Sequence, residues 1–183
     1  MKGNMHLDTS TLTAANDSYE EIAYIAHSTT KAPAVAALSV LFVDRRKNAI
    51  AFQPPCECNT DADVTGPRAA ILATIMALRL ASDRGLTRLR IVVEESWFLN
   101  NVTDFASFIA SGGRSGAKSA SSKPASNFDL WLDLAAETVR FGGYDKIVWS
   151  KACNTADNRF RQCAKDAATD ARLNALGAPP VAA

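Results

Sequence analysis

The period of the apolar residues changes once along this chain, and the order of that change constrains the fold more than any motif does. The first third reads in strands. "EIAYIAHS" places Ile22, Tyr24 and Ala26 on one face at period two. "KAP" turns the chain, and "AVAALSVLFVDRRKNAIAFQP" reads as two strands around the turn "DRRKN", a hairpin. "PPCECNTDADVTGP" reads as a polar loop or a short edge strand. From Thr65 onward, helical and strand patterns alternate. Thr65 as N-cap and Pro67 in the first turn open a helix. Ile71, Ile75, Leu78 and Ser82 follow at helical spacing, Leu72 and Met76 widen the apolar face, and Gly85 ends it. "LRIVVEES" predicts a buried strand carried by Leu89, Ile91, Val92 and Val93. "WFLNNVTDFASFIAS" predicts a helix broken at "GG". "FDLWLDLAAETVRFG" predicts an amphipathic helix presenting Leu130, Trp131, Leu134 and Val139. "DKIVWSKA" reads as a strand and "NTADNRFRQCAKDAATDARLNAL" as a last helix.

Strands first and alternating units afterwards give an α/β fold, a mixed sheet with helices on its faces. The expectation is a five-stranded sheet with a central strand at 89–94 beside the first strand. Helices are expected at about 67–83, 97–110, 128–140 and 158–175. The chain of 183 residues is long enough for one cored domain, expected at 19–175 between tails at 1–18 and 176–183. Hydrophobic residues make up 48% and charged residues 21%, with a formal net charge of +1. Any surface for nucleic acid must therefore be a local patch. No apolar run has membrane-spanning length, and "MKGNMHLDTSTLTAANDSYEE" lacks a signal-peptide core. The expectation is an intracellular protein, cytoplasmic or nuclear, with no membrane partner. The four cysteines, Cys56, Cys58, Cys153 and Cys163, lack a zinc spacing, and His6 and His27 do not complete one. They read as reduced thiols.

Four stretches in this order resemble the type 1 ribonuclease H family over about residues 20–172. "YIAHS" stands where that family has Tyr-Thr-Asp-Gly-Ser. "TGPRAAILATIMAL" resembles Thr-Asn-Asn-Arg-Ala-Glu-Leu, and "VVEESWFLNNV" resembles a strand ending in Thr-Asp-Ser. "KPASNFDLWLDL" resembles Lys-x-x-x-Asn-x-Asp-Leu-Trp, and "VWSKACNTADNRFRQCAKDAA" stands where the family has Val-Lys-Gly-His, an Asn-containing turn and a closing helix. The resemblance implies a ribonuclease H-like fold and a site in which two Mg²⁺ ions flank a scissile phosphate.

That site would need four converging carboxylates, because Mg²⁺ takes oxygen ligands and its charge must be offset. The first aligns with Ala26, or with His27 if the turn shifts by one. The second aligns with Ala70, the third with Glu95 and the fourth with Gln162. One carboxylate of four remains, Glu95, and the family's loop histidine aligns with Cys153. The expectation is a pseudoenzyme without a cofactor, a module that binds nucleic acid (an RNA–DNA hybrid foremost) or a protein partner. The alternative is a divergent but active Mg-dependent ribonuclease H that cleaves RNA in RNA–DNA hybrids. Candidate nucleic-acid contacts are Arg68, Asn100, Asn101 and the basic stretch carrying Arg114, Lys118 and Lys123.

Overall fold

The structure, a computed structural model, describes residues 21–31, 34–52, 57–59, 65–110 and 126–177, with the backbone alone for 57–59. The expected tail at 1–18, the last six residues of the expected C-terminal tail, Cys56, and the basic stretch with Arg114, Lys118 and Lys123 lie outside the described residues.

Six strands form one sheet. β1 (Glu21–Lys31) and β2 (Ala34–Asp44) make a long antiparallel hairpin, from the pair Glu21–Asp44 to the pair Lys31–Ala34. β3 (Ala49–Phe52) and β4 (Glu57–Asn59) both pair antiparallel with β2, β3 near its end and β4 along Ala36–Leu38, so together they cover one edge. β5 (Leu89–Val92) lies parallel to β1, and β6 (Ile147–Ser150) lies parallel to β5. The main order is β3-β2-β1-β5-β6, the expected five-stranded mixed sheet, with β4 beside that path. The first strand does adjoin the 89–92 strand, but the middle strand is β1. β5 is interior, between β1 and β6. The apolar run "LRIVV" reports burial on both faces, which an interior strand needs whether or not it is the middle one.

The alternation read in β1 sorts two cores. Ala23 and Ile25 face a large core with helix α1 (Gly66–Asp83), whereas Ile22, Tyr24 and Ala26 face a smaller one built with Phe160 and Ala164 of helix α5 (Thr155–Ala175). Ala69, Ala73, Ala77 and Ala81 recur every four residues and are wholly buried, so α1 lies close on the sheet. Thr65 caps α1 by accepting from the Arg68 backbone N–H. The helix ends in a Schellman turn. Gly85, at φ +70°, donates to the Ser82 carbonyl and Leu86 to that of Ala81.

The helix expected at 97–110 is two helices, α2 (Ser96–Thr103) and α3 (Phe105–Ala110), separated at Asp104 with φ −124° and ψ 55°. The break aims Phe105 and Phe108 at Trp131, whose ring is 6.0 and 5.0 Å from theirs. Trp131 lies on α4 (Phe128–Arg140), the amphipathic helix read from sequence, and is 1% exposed. Val139, expected on its apolar face, is exposed. No helix among the described residues is long and apolar enough to cross a membrane.

Candidate functional site

β1 continues past Tyr24 while its parallel neighbour β5 stops at Val92. The unequal ends open a cleft outside the carboxyl ends of the parallel strands, where open α/β sheets commonly hold ligands. His27 projects on the Ala23 and Ile25 side of β1, towards α1. A Cβ added at Gly66, the first residue of α1, would sit 3.5 Å from His27 Nε2. On the other side, His27 Nδ1 lies 3.7 Å from Glu95 Oε1, with the two side chains 19% and 21% exposed. Glu95 is the N-cap of α2, but its side chain caps no backbone N–H. Its carboxylate is thus a loosely held group near an imidazole.

The preceding residue faces the other way. Glu94 accepts from Arg161 of α5 at 2.8 Å and lies 3.6 Å from Lys165 Nζ. Lys151, just beyond β6, donates to Ser96 Oγ. A cleft of about 170 Å³ opens here, lined by Val93, Glu94, Lys151, Ala152, Asn158 and Arg161.

Behind this mouth lies a buried ion network. Arg90 of β5 grips Asp157 with both ends of its fork, Nη2 to Oδ2 at 2.8 Å and Nη1 to Oδ1 at 3.3 Å. Tyr24 donates its hydroxyl to Asp157 Oδ1 at 2.5 Å, and Cys153 donates both its backbone N–H and its thiol to Oδ2. Arg90 Nε donates to Ser150 Oγ at 2.8 Å. Burial acts to raise the Asp157 pKa, but the hydrogen bonds from Tyr24, Arg90 and Cys153 outweigh it and hold the pKa below the ordinary carboxylate range. The helix expected at 158–175 starts just after Asp157. Asp157 lies instead in the first turn of α5, which begins at Thr155 because Asn154 caps it by accepting from the Asp157 backbone N–H. The signal for this network was the lone arginine inside "LRIVV". A buried guanidinium requires an acidic partner.

No protein-family model matches the chain, and no curated protein does. Solved structures do match. The ribonuclease H domain of prototype foamy virus superposes with a TM-score of 0.67 at 15% identity, over 87% of this chain and 98% of that domain. The foamy viral protease–reverse transcriptase in complex with an RNA/DNA hybrid matches with a TM-score of 0.66 at 15% identity over 94% of this chain, which spans only 22% of that longer protein. The N-terminal ribonuclease H domain of a Mycobacterium tuberculosis protein, solved as a fusion with maltose binding protein, matches at 0.59 and 15%, over 87% and 99%. The fold of this chain is ribonuclease H-like.

Within the ribonuclease H-like fold, the residues matched to the family's carboxylates have different surroundings. Glu95 meets His27, not Ala26, whose side chain lies in the α5 core with Phe160. Ala70 is buried one turn beyond Gly66, on the same side of α1. Gln162 stands on the exposed flank of α5, donating to Asp166 at 2.7 Å, so Asp166 is engaged there as well. Among the described residues, no three His, Cys, Asp or Glu side chains are grouped to hold a metal ion. Arg68 forms an ion pair with Asp129 of α4 at 3.0 Å, half out in solvent. On α2, Asn100 is exposed and Asn101 partly so.

Proposed function

We propose that this ribonuclease H-like domain binds nucleic acid at the strand-end cleft and does not cleave it. The observation that carries this reading is the pairing of Glu95 with an imidazole, His27 at 3.7 Å, while alanine or glutamine stands at the other matched positions Ala26, Ala70 and Gln162. A Mg²⁺ pair needs several carboxylate oxygens converging on one point. Asp157, the first acid on α5, already accepts from Arg90, Tyr24 and Cys153. The residues present do not fit the ion pair that the fold family implies.

Loss of acids also favours binding, because phosphates approaching the cleft meet less repulsion. The foamy viral relative in complex with an RNA/DNA hybrid supports a hybrid as the ligand class. Arg68 is free to exchange Asp129 for a phosphate, since an exposed ion pair of this kind contributes about 0–1 kcal/mol. Asn100 and Asn101 supply neutral donors, and Arg114, Lys118 and Lys123 supply further charge.

Fluorescence anisotropy with an RNA–DNA hybrid, duplex DNA and single strands, across a salt series, tests this reading. Binding that weakens log-linearly with salt supports it. No binding to any of these ligands at low salt overturns it and leaves a protein-interaction module. Metal-dependent loss of the RNA strand restores the reading of a divergent nuclease.

A further inference from the structure

We propose that Arg161, with Lys151 and Lys165, forms a metal-free phosphate clasp in the cleft between the ends of β5 and β6 and helix α5. This rests on the nucleic-acid reading above and names how that site recognises its ligand.

Three cations gather at this mouth, one after β6 and two on α5. Lys151 follows β6, and Arg161 and Lys165 lie one turn apart on the same face of α5. Glu94 lies 2.8 Å from Arg161 and 3.6 Å from Lys165, and it lines the cleft together with Lys151. The buried Nε of Arg161 has no hydrogen-bond partner among the described residues, although the same guanidinium pairs with Glu94 through Nη1. A guanidinium held by one carboxylate oxygen is suited to a tetrahedral oxyanion, which can take the place of Glu94 on two parallel N–H donors. Asn158 adds an amide to the lining. The cavity of about 170 Å³ is several times the roughly 30 Å³ share of one water, so a phosphate group has room.

The clasp also follows from the misfit with Mg²⁺. A divalent ion pair offsets phosphate charge from within a nest of carboxylates. Here three of the four acids are absent, and Arg161 directly precedes Gln162, one of their positions, in the chain. Lys151 donates to Ser96, the residue after Glu95, which ties the clasp to the His27–Glu95 end of the same mouth. Glu94 then acts as an internal competitor, occupying Arg161 until a phosphate displaces it.

The test follows the Arg161 Nε–H resonance of ¹⁵N-labelled protein in EDTA, titrated with inorganic phosphate and, separately, with a short RNA–DNA hybrid. Hybrid affinity is measured for the wild type, Arg161→Gln and Glu94→Gln. The hybrid is expected to shift the Arg161 resonance. Arg161→Gln should weaken hybrid binding roughly tenfold and lower the salt slope by about one. Glu94→Gln should tighten it roughly threefold by removing the competitor. The opposite signs separate the clasp from misfolding, which would weaken both. Hybrid binding that is unchanged in both variants, with Arg161 unmoved, overturns the clasp while the nucleic-acid reading stands. A phosphate-induced shift at Arg161 without hybrid binding supports the clasp for a small phosphate ligand and overturns the hybrid as its ligand.

Discussion

Asp157 and Glu95 each follow a parallel strand, and their surroundings differ in every respect. Asp157 is 2% exposed, and its oxygens accept from the Tyr24 hydroxyl of β1, the Arg90 guanidinium of β5 and the Cys153 backbone N–H in the loop after β6. Glu95 is partly exposed, and the His27 imidazole lies 3.7 Å from its carboxylate. The first carboxylate holds the last helix to the sheet, whereas the second holds little. The frame of the fold and the chemistry at its mouth therefore depend on separate residues, and one can persist while the other is lost.

The largest effect that would break this comparison comes from Asp157→Ala. Removing the acid leaves Arg90 buried without its partner, at a cost of about 3–5 kcal/mol. Urea denaturation measures it, and a loss below about 1 kcal/mol would put Asp157 in the same class as Glu95. Ala26→Asp comes next. It buries a carboxylate against Phe160 and Ala164, so it should cost about 2–3 kcal/mol and create no metal site. His27→Asp combined with Ala70→Glu places new acids on the Glu95 side of the sheet. That pair should give Mg²⁺ binding by calorimetry, and a response to Ala26→Asp instead would reverse the assignment of faces.

Acid sharpens the contrast. The folded pKa of Asp157 is depressed, with burial opposing and the Tyr24, Arg90 and Cys153 hydrogen bonds prevailing. A depressed carboxyl contributes stability that is complete above the unfolded pKa of about 3.9 and disappears as pH falls through the lower folded value. Stability should therefore drop below about pH 4, and more shallowly in Asp157→Ala. Tyr24→Phe should cost about 1–2 kcal/mol, since one strong donor to a charged acceptor goes while the ring stays on Phe160 at 5.6 Å. The smallest effect is Glu95→Gln, expected to change stability by no more than about 0.5 kcal/mol.

These expectations also mark what could be read from the chain. The alternation of Ile22, Tyr24 and Ala26 gave a face that the structure keeps, and Thr65, Pro67 and Gly85 bounded α1 through local chemistry that any sequence displays. The break at Asp104 was not legible, because the apolar spacing runs on through Phe105 and Phe108 and only packing on Trp131 selects the bend. The pairing of His27 with Glu95 required knowing which residue of β1 faces α1 where the strand outruns β5. Arg90 and Asp157 stand 67 residues apart, so their ion pair exists only once the parallel strands are assembled.

The most direct measurement incubates a strand-labelled RNA–DNA hybrid with saturating unaltered protein in Mg²⁺ or Mn²⁺, then separates complex from free hybrid and sizes the RNA. A retarded complex containing full-length RNA is the expected result, weakened by salt and by neutralising Arg114, Lys118 and Lys123. RNA cut in a metal-dependent way, with cutting abolished by Glu95→Gln, would contradict the account and make this a working ribonuclease.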